Sequence, residues 1–154
     1  MARFFCRTKR LTFSLLPVQL APYCRYTVRS MLFSLLVAWQ ALGEGLGLFS
    51  VAEKRLDPES RITGCTLAFW LALTVGCFRR GRAELERIRE LGDIEPGRDQ
   101  AGMLAELAAY CRDLWIRGPP GSGGLDEVIR QYTINTGRFL IGIPSQDRCG
   151  TPVS

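Results

Sequence analysis

The stretch Thr63-Gly-Cys-Thr-Leu-Ala-Phe-Trp-Leu-Ala-Leu-Thr-Val-Gly-Cys-Phe78 carries no charged residue and is bounded by Arg61 on one side and Arg79-Arg80 on the other. It is too long for an ordinary strand, which runs about 3–10 residues, and its leucine and alanine content favours a helix. Beyond it, Arg79 to Leu91 continues as a charged amphipathic segment with Leu85, Ile88 and Leu91 on one side and Arg82 and Glu86 spaced for an i,i+4 pair. Gly76 and Gly81 are candidate breaks, so the pattern allows one long helix or two. A helix that is apolar all round is either a core element or a membrane span. A span needs about 20 apolar residues. Thr63, Thr66 and Thr74 dilute the run, and Trp70 sits at its middle rather than at an interface, where tryptophan is favoured. The stretch therefore reads as a buried core helix of a mainly α fold, with a small membrane protein anchored by residues 62–78 as the alternative.

Other helices follow from the same periodicity. Thr27 is a fitting N-cap for a helix from Val28 to Leu42, with Met31, Leu32, Leu35, Leu36, Trp39 and Leu42 as its apolar stripe and Gly43 and Gly45 to end it. Leu46 to Arg55 predicts a short helix, and Asp57-Pro58-Glu59 a turn or a new helix start. Asp99 caps an amphipathic helix running to about Ile116, with Met103, Leu104, Leu107, Ala108, Cys111, Leu114 and Trp115 inward. Gly118 to Gly124 is a Gly/Pro linker, because no strand precedes it and no Lys-Ser/Thr follows to make a phosphate loop. A helix from Leu125 to about Tyr132 and a strand or docked extended segment from Arg138 to Pro144 complete the pass. Before all of these, residues 4–16 alternate loosely and suggest one or two short strands, followed by a connector between Pro17 and Pro22.

A chain of 154 residues is long enough to bury a sizeable core. Its net charge of +5 is unevenly placed. Before Glu44 the basic residues are Arg3, Arg7, Lys9, Arg10, Arg25 and Arg29, with no acidic residue among them. An uncompensated basic stretch suits a polyanion, either nucleic acid or an anionic surface. Lys9 and Lys54 are the only lysines among the 20 basic residues; this arginine bias fits bidentate phosphate or guanine contacts, and equally a coding bias. The opening superficially resembles a signal peptide, but Pro17 and Gln19 break its apolar segment and no small-x-small site follows cleanly, so a cytoplasmic location is expected. The 6 cysteines include no Cys-x-x-Cys pair and are read as mostly buried thiols in a reducing compartment.

Two N-terminal segments, Arg10-Leu-Thr-Phe-Ser-Leu-Leu-Pro17 and Pro22-Tyr-Cys-Arg-Tyr26, resemble transposase-associated proteins encoded in bacterial insertion sequences, in which a zinc ribbon precedes a helix-turn-helix-like region. The resemblance covers roughly residues 4–90. It implies that Cys6 belongs to the second knuckle of a ribbon, yet Lys9 stands where the second thiolate should be, and the front knuckle has no counterpart. An ammonium cannot ligate zinc, and a structural site needs four Cys or His ligands, so no metal and no other cofactor is expected. The ribbon is accordingly truncated and degenerate. The resemblance further maps the helix-turn-helix onto Leu46–Arg55, Leu56–Ile62 and Thr63–Phe78, with Trp70-Leu71 as the family's Trp-Leu pair. A recognition helix reads base edges through polar or basic side chains, and this one has no charge.

Catalysis finds little support. There is no histidine, so the commonest general base is missing, and no alternating strand–helix pattern could carry an RNase H-like sheet. Glu84, Glu86 and Glu90 sit among Arg87 and Arg89 as a solvated surface. The sequence thus points to a non-enzymatic protein of a short N-terminal β segment and a helical bundle. Its regions are a ribbon-like strand segment and connector (1–22), a helix-turn-helix-like helical region (23–91), an amphipathic helix (92–117), a linker (118–124), and a C-terminal helix with an extended tail (125–154). The expected role is DNA binding or an accessory role beside a transposase, with phosphate contacts from Arg7, Lys9, Arg10, Arg25, Arg29, Arg61, Arg79, Arg80 and Arg82. An inactive truncated remnant is a further alternative, and Arg79, Arg80 and Arg82 could equally be a solvated helix end.

Overall fold

The computed structural model describes residues 2–6, 11–15, 26–56, 62–116 and 124–142. At the N-terminus, β1 (Ala2–Cys6) and β2 (Leu11–Leu15) pair as an antiparallel hairpin with Phe4 opposite Phe13. The other described elements are helical: α1 (Val28–Leu42), α2 (Leu48–Lys54), α3 (Gly64–Ile88), α4 (Gln100–Cys111), a π-helical turn (Arg112–Ile116) and α5 (Leu125–Thr136).

Capping sets where the long helices begin. Thr27, in an extended conformation, accepts the N–H of Ser30 at 3.1 Å and starts α1; Thr63 accepts the N–H of Thr66 at 3.2 Å and starts α3; Asp99 accepts the N–H of Gly102 at 2.8 Å and starts α4. Helix α1 stops where Gly45 takes the left-handed φ of +80°, which lets Leu46 return its N–H to Ala41 O and Gly45 its own to Leu42 O, both at 3.0 Å. This closure turns the chain back so that α2 packs on both α1 and α3.

Helix α3 is the centre of the molecule and touches α1, α2, α4 and α5. Leu67, Trp70, Leu71, Thr74, Val75, Phe78 and Leu85 are buried along it, a stripe at helical spacing that gives every neighbour an apolar surface. The Thr74 hydroxyl, fully enclosed, donates to Trp70 O at 2.7 Å, so its polarity is satisfied within the helix. Neither Gly76 nor Gly81 breaks it. At its start, Gly64 lies so close to α2 that a Cβ would sit 2.4 Å from Phe49 Cδ1 and 2.8 Å from Phe49 Cα. The helix is thus one continuous element whose first half is core. No described helix is long and apolar enough to cross a membrane, and the apolar residues of 62–78 that would have faced lipid are turned mostly onto α1, α2 and α4.

One inward assignment is corrected: Trp39 is 43% exposed, because opposite it the α4 helix presents alanines too short to close over it. Leu36, Leu42, Met103 and Trp115 are half-buried and pack against the core. Conversely, Glu106, Tyr110 and Asp113, absent from the expected core, are buried. The expected Leu46–Arg55 helix is the shorter α2, and the α4 helix passes into the π turn before Ile116. Helix α5 runs past Tyr132 to Thr136 and ends on Gly137 at φ +67°. Residues 138–142 form no strand; Leu140 and Ile141 are buried, and Gly142 O accepts from the Cys77 thiol at 3.5 Å. The Asp57-Pro58-Glu59 turn and linker residues 118–123 lie outside the described residues.

Candidate functional site

Of the basic residues expected at a phosphate surface, Arg7, Lys9, Arg10, Arg25 and Arg61 lie outside the described residues. The other four have defined partners. Arg29, on the exposed side of α1, pairs with Asp126 at 3.3 Å, and its guanidinium lies 5.9 Å from the Trp115 ring centroid. Arg80 is exposed and donates Nη2 to the Cys77 sulfur at 3.2 Å. Arg79 and Arg82 turn toward the loop between α3 and α4 instead of standing free.

That loop is held by two buried carboxylates on and just beyond α4. Arg79 grips Glu106 with two parallel bonds, Nε to Oε1 at 2.8 Å and Nη2 to Oε2 at 2.6 Å, and also donates Nη2 to Gly97 O at 2.8 Å. Glu106 in turn accepts the Gly97 N–H at 2.9 Å. Its side chain is only 2% exposed. Burial alone pushes its carboxyl up, but the Arg79 hydrogen bonds, the Gly97 N–H and the positive charges of Arg79 and Arg82 together outweigh burial and hold it below the ordinary carboxylate value. At the other end, Asp113, with 1% of its side chain exposed, accepts the Gly92 N–H at 3.0 Å and Arg112 Nε at 3.1 Å. Arg82 bonds Glu86 at 2.7 Å and reaches Ile94 O at 3.3 Å, while Arg89 donates to Leu114 O. Glu106 could have been noticed in the sequence, as the one charged residue inside α4 with neither an i−4 nor an i+4 partner. Its true partner is twenty-seven positions away and invisible to local spacing.

Two features of the surface remain open to another molecule. The first is the start of α3, where Thr63 and Cys65 are exposed and Phe69 is 52% exposed, on the side away from Leu67, Trp70 and Leu71. Tyr26 meets Trp70 edge-on, with ring centroids 5.0 Å apart, and anchors this helix to the chain entering α1. The second is a groove of about 510 Å³ between α1 and α4, walled by Leu36, Trp39, Ala105, Ala108, Ala109 and Trp115.

The described thiols do not supply a nucleophile in that groove. Burial pushes Cys111 up to about 12, leaving almost no thiolate at neutral pH. Cys77 is also buried, and Cys65 is exposed, contrary to the expectation of a buried thiol in the apolar run. Among the described residues no group of three His, Cys, Asp or Glu side chains could hold a metal ion. Comparison with protein-family models, curated proteins and solved structures finds no match to this chain.

Proposed function

We propose that the chain is a non-catalytic DNA-binding or accessory protein of a bacterial insertion sequence, working beside a transposase. The observation that carries the reading is the arrangement of α1, α2 and α3: a short α2 packs on the start of α3 at van der Waals contact through Gly64 and Phe49, and one side of the first turns of α3, with Cys65 and Phe69, faces outward while Leu67, Trp70 and Leu71 fix the other side in the core. In a helix-turn-helix reading, α2 is the first helix and α3 the recognition helix, with Trp70-Leu71 as the resembling pair. The exposed part of α3 offers hydroxyl, thiol and aromatic groups but no charge, so it contributes shape and apolar contact rather than bidentate base reading. Affinity then comes from phosphate contacts by Arg7, Lys9, Arg10, Arg25, Arg29 and Arg61, with Arg80 at the side of α3. Arg79 and Arg82 are engaged with the α3–α4 loop and serve the fold first.

The test is fluorescence anisotropy of a labelled duplex across a salt series. Binding should fall steeply with salt, and replacing Arg7, Lys9 and Arg10 by Gln should lower the slope of log affinity against log salt by about 2–3, since each phosphate contact contributes roughly 0.9. Replacing Arg25 and Arg29 together should weaken binding alike for all duplex sequences. A folded sample that binds no duplex at low salt overturns the reading.

A further inference from the structure

We propose that the groove between α1 and α4 is a binding site for a small planar aromatic anion, with its ring system against the indoles of Trp39 and Trp115 and its negative charge at Arg112. Three observations point there. The groove is concave and its volume of about 510 Å³ falls within the roughly 300–1,000 Å³ of small-molecule sites. Its wall chemistry suits a flat ring: Ala105, Ala108 and Ala109 present one α4 face with no side chain beyond Cβ, and the two indoles provide large π surfaces. The polar groups lie among apolar walls, where they orient a ligand instead of hydrating the cleft: Gln40 on α1, and Arg112, whose side chain is 49% exposed while its Nε is held by Asp113.

The backbone supplies a further reason. Arg112 and Trp115 both belong to the π-helical turn that follows α4. Such turns are rare and recur at functional sites, because the wider winding re-aims side chains relative to the helix before it. Here the turn delivers both the charged group and one indole to the same groove, and it is held by the buried Asp113, which accepts from Arg112 and from the Gly92 N–H. An anion is favoured over a cation because Arg112 is the only charged side chain lining the groove among the described residues.

Anilinonaphthalenesulfonate, a planar aromatic sulfonate, is the probe, and the uncharged phenylnaphthylamine is its control. Titrating the full chain without DNA should quench tryptophan emission saturably at one dye per chain. Ala105→Phe, which extends an exposed residue into the groove, should weaken sulfonate binding about tenfold, and Trp39→Ala should do the same if the first variant does not unfold cooperatively. Arg112→Gln should weaken the sulfonate about tenfold and leave phenylnaphthylamine unchanged. No saturable quenching overturns the proposal, whether the groove is then covered by another copy or by other parts of this chain. So does undiminished sulfonate binding in a folded Ala105→Phe or Trp39→Ala variant, or an Arg112→Gln variant that affects both dyes alike.

Discussion

Arg79 and Glu106 enclose Gly97: the carboxylate takes its N–H at 2.9 Å, the guanidinium donates to its carbonyl at 2.8 Å, and the two charged groups bond each other twice. Both polar backbone groups of one loop residue are therefore satisfied by a single ion pair that joins α3 to α4. Charge-assisted bonds of this kind are stronger than neutral ones, and they tie the loop from Leu91 to Asp99 to helices on both sides.

The pair makes stability depend on pH at the acid end. The folded Glu106 carboxyl titrates below its ordinary value of 4.5, so the unfolded chain binds its proton first as pH falls. The stabilisation is fully present above that ordinary value and is lost as pH drops through the folded one. Urea unfolding at about pH 6 and about pH 3 should show a smaller acid loss for Glu106→Gln than for the unaltered chain. At neutral pH the variant should be less stable by about 1–3 kcal/mol.

Arg79 and Arg80 are adjacent in sequence but should behave differently. Arg79→Gln leaves a buried carboxylate without its main partner. The loss should be about 2–3 kcal/mol, less than the roughly 3–5 for a fully enclosed pair, because Arg79 is 41% exposed. Arg80→Gln should change stability by no more than about 0.5 kcal/mol. Thermal melts measure the first difference. In the anisotropy assay the order should reverse, with Arg80→Gln reducing the salt dependence and Arg79→Gln leaving it unchanged.

Gly97 is required by space. A Cβ there would lie 2.0 Å from the carbonyl carbon and 2.4 Å from the carbonyl oxygen of Gly102, and backbone cannot yield as a side chain can. Gly97→Ala should cost about 3 kcal/mol or more through forced separation of the loop from α4. Gly76→Ala meets only the flexible end of Arg80 at 3.3 Å and should stabilise α3 by about 0.5–1 kcal/mol. Chemical denaturation of the two variants checks the opposite signs.

The described thiols should separate by exposure. Brief treatment of the native protein with N-ethylmaleimide, followed by peptide mass mapping, should modify Cys65 and spare Cys77 and Cys111. Labelling in denaturant should reach all three. Protection of Cys65 in the native state would show that the start of α3 is covered.

Much of the helical layout was legible locally. Thr27 and Asp99, read as caps, and Thr63, read as the first helical residue, cap their helices through bonds to residues three positions on, and a bond of that reach is written in the order of residues. The apolar spacing of Leu67, Leu71 and Phe78 likewise identifies a helix face that must be buried. The candidate sites were less legible. Arg79 looks like a free cation in sequence, because Glu106 lies twenty-seven positions away; Arg82 shows its i,i+4 partner Glu86 locally, but not the Gly92 and Ile94 carbonyls it also reaches. Trp39 sits at a core spacing on α1 and is nevertheless exposed, since its burial depends on what α4 places opposite.

The sequence by itself determined a mainly helical protein, the starts of its long helices and the absence of charge from the first half of α3, because caps and amphipathic spacing act over three or four residues. Only the tertiary structure decided that Gly76 and Gly81 leave α3 unbroken, that two carboxylates are buried to fasten the α3–α4 loop, and that two tryptophans wall an open groove. Those outcomes depend on which helices meet and how closely. Close packing between elements distant in sequence sets both, and no local pattern contains it.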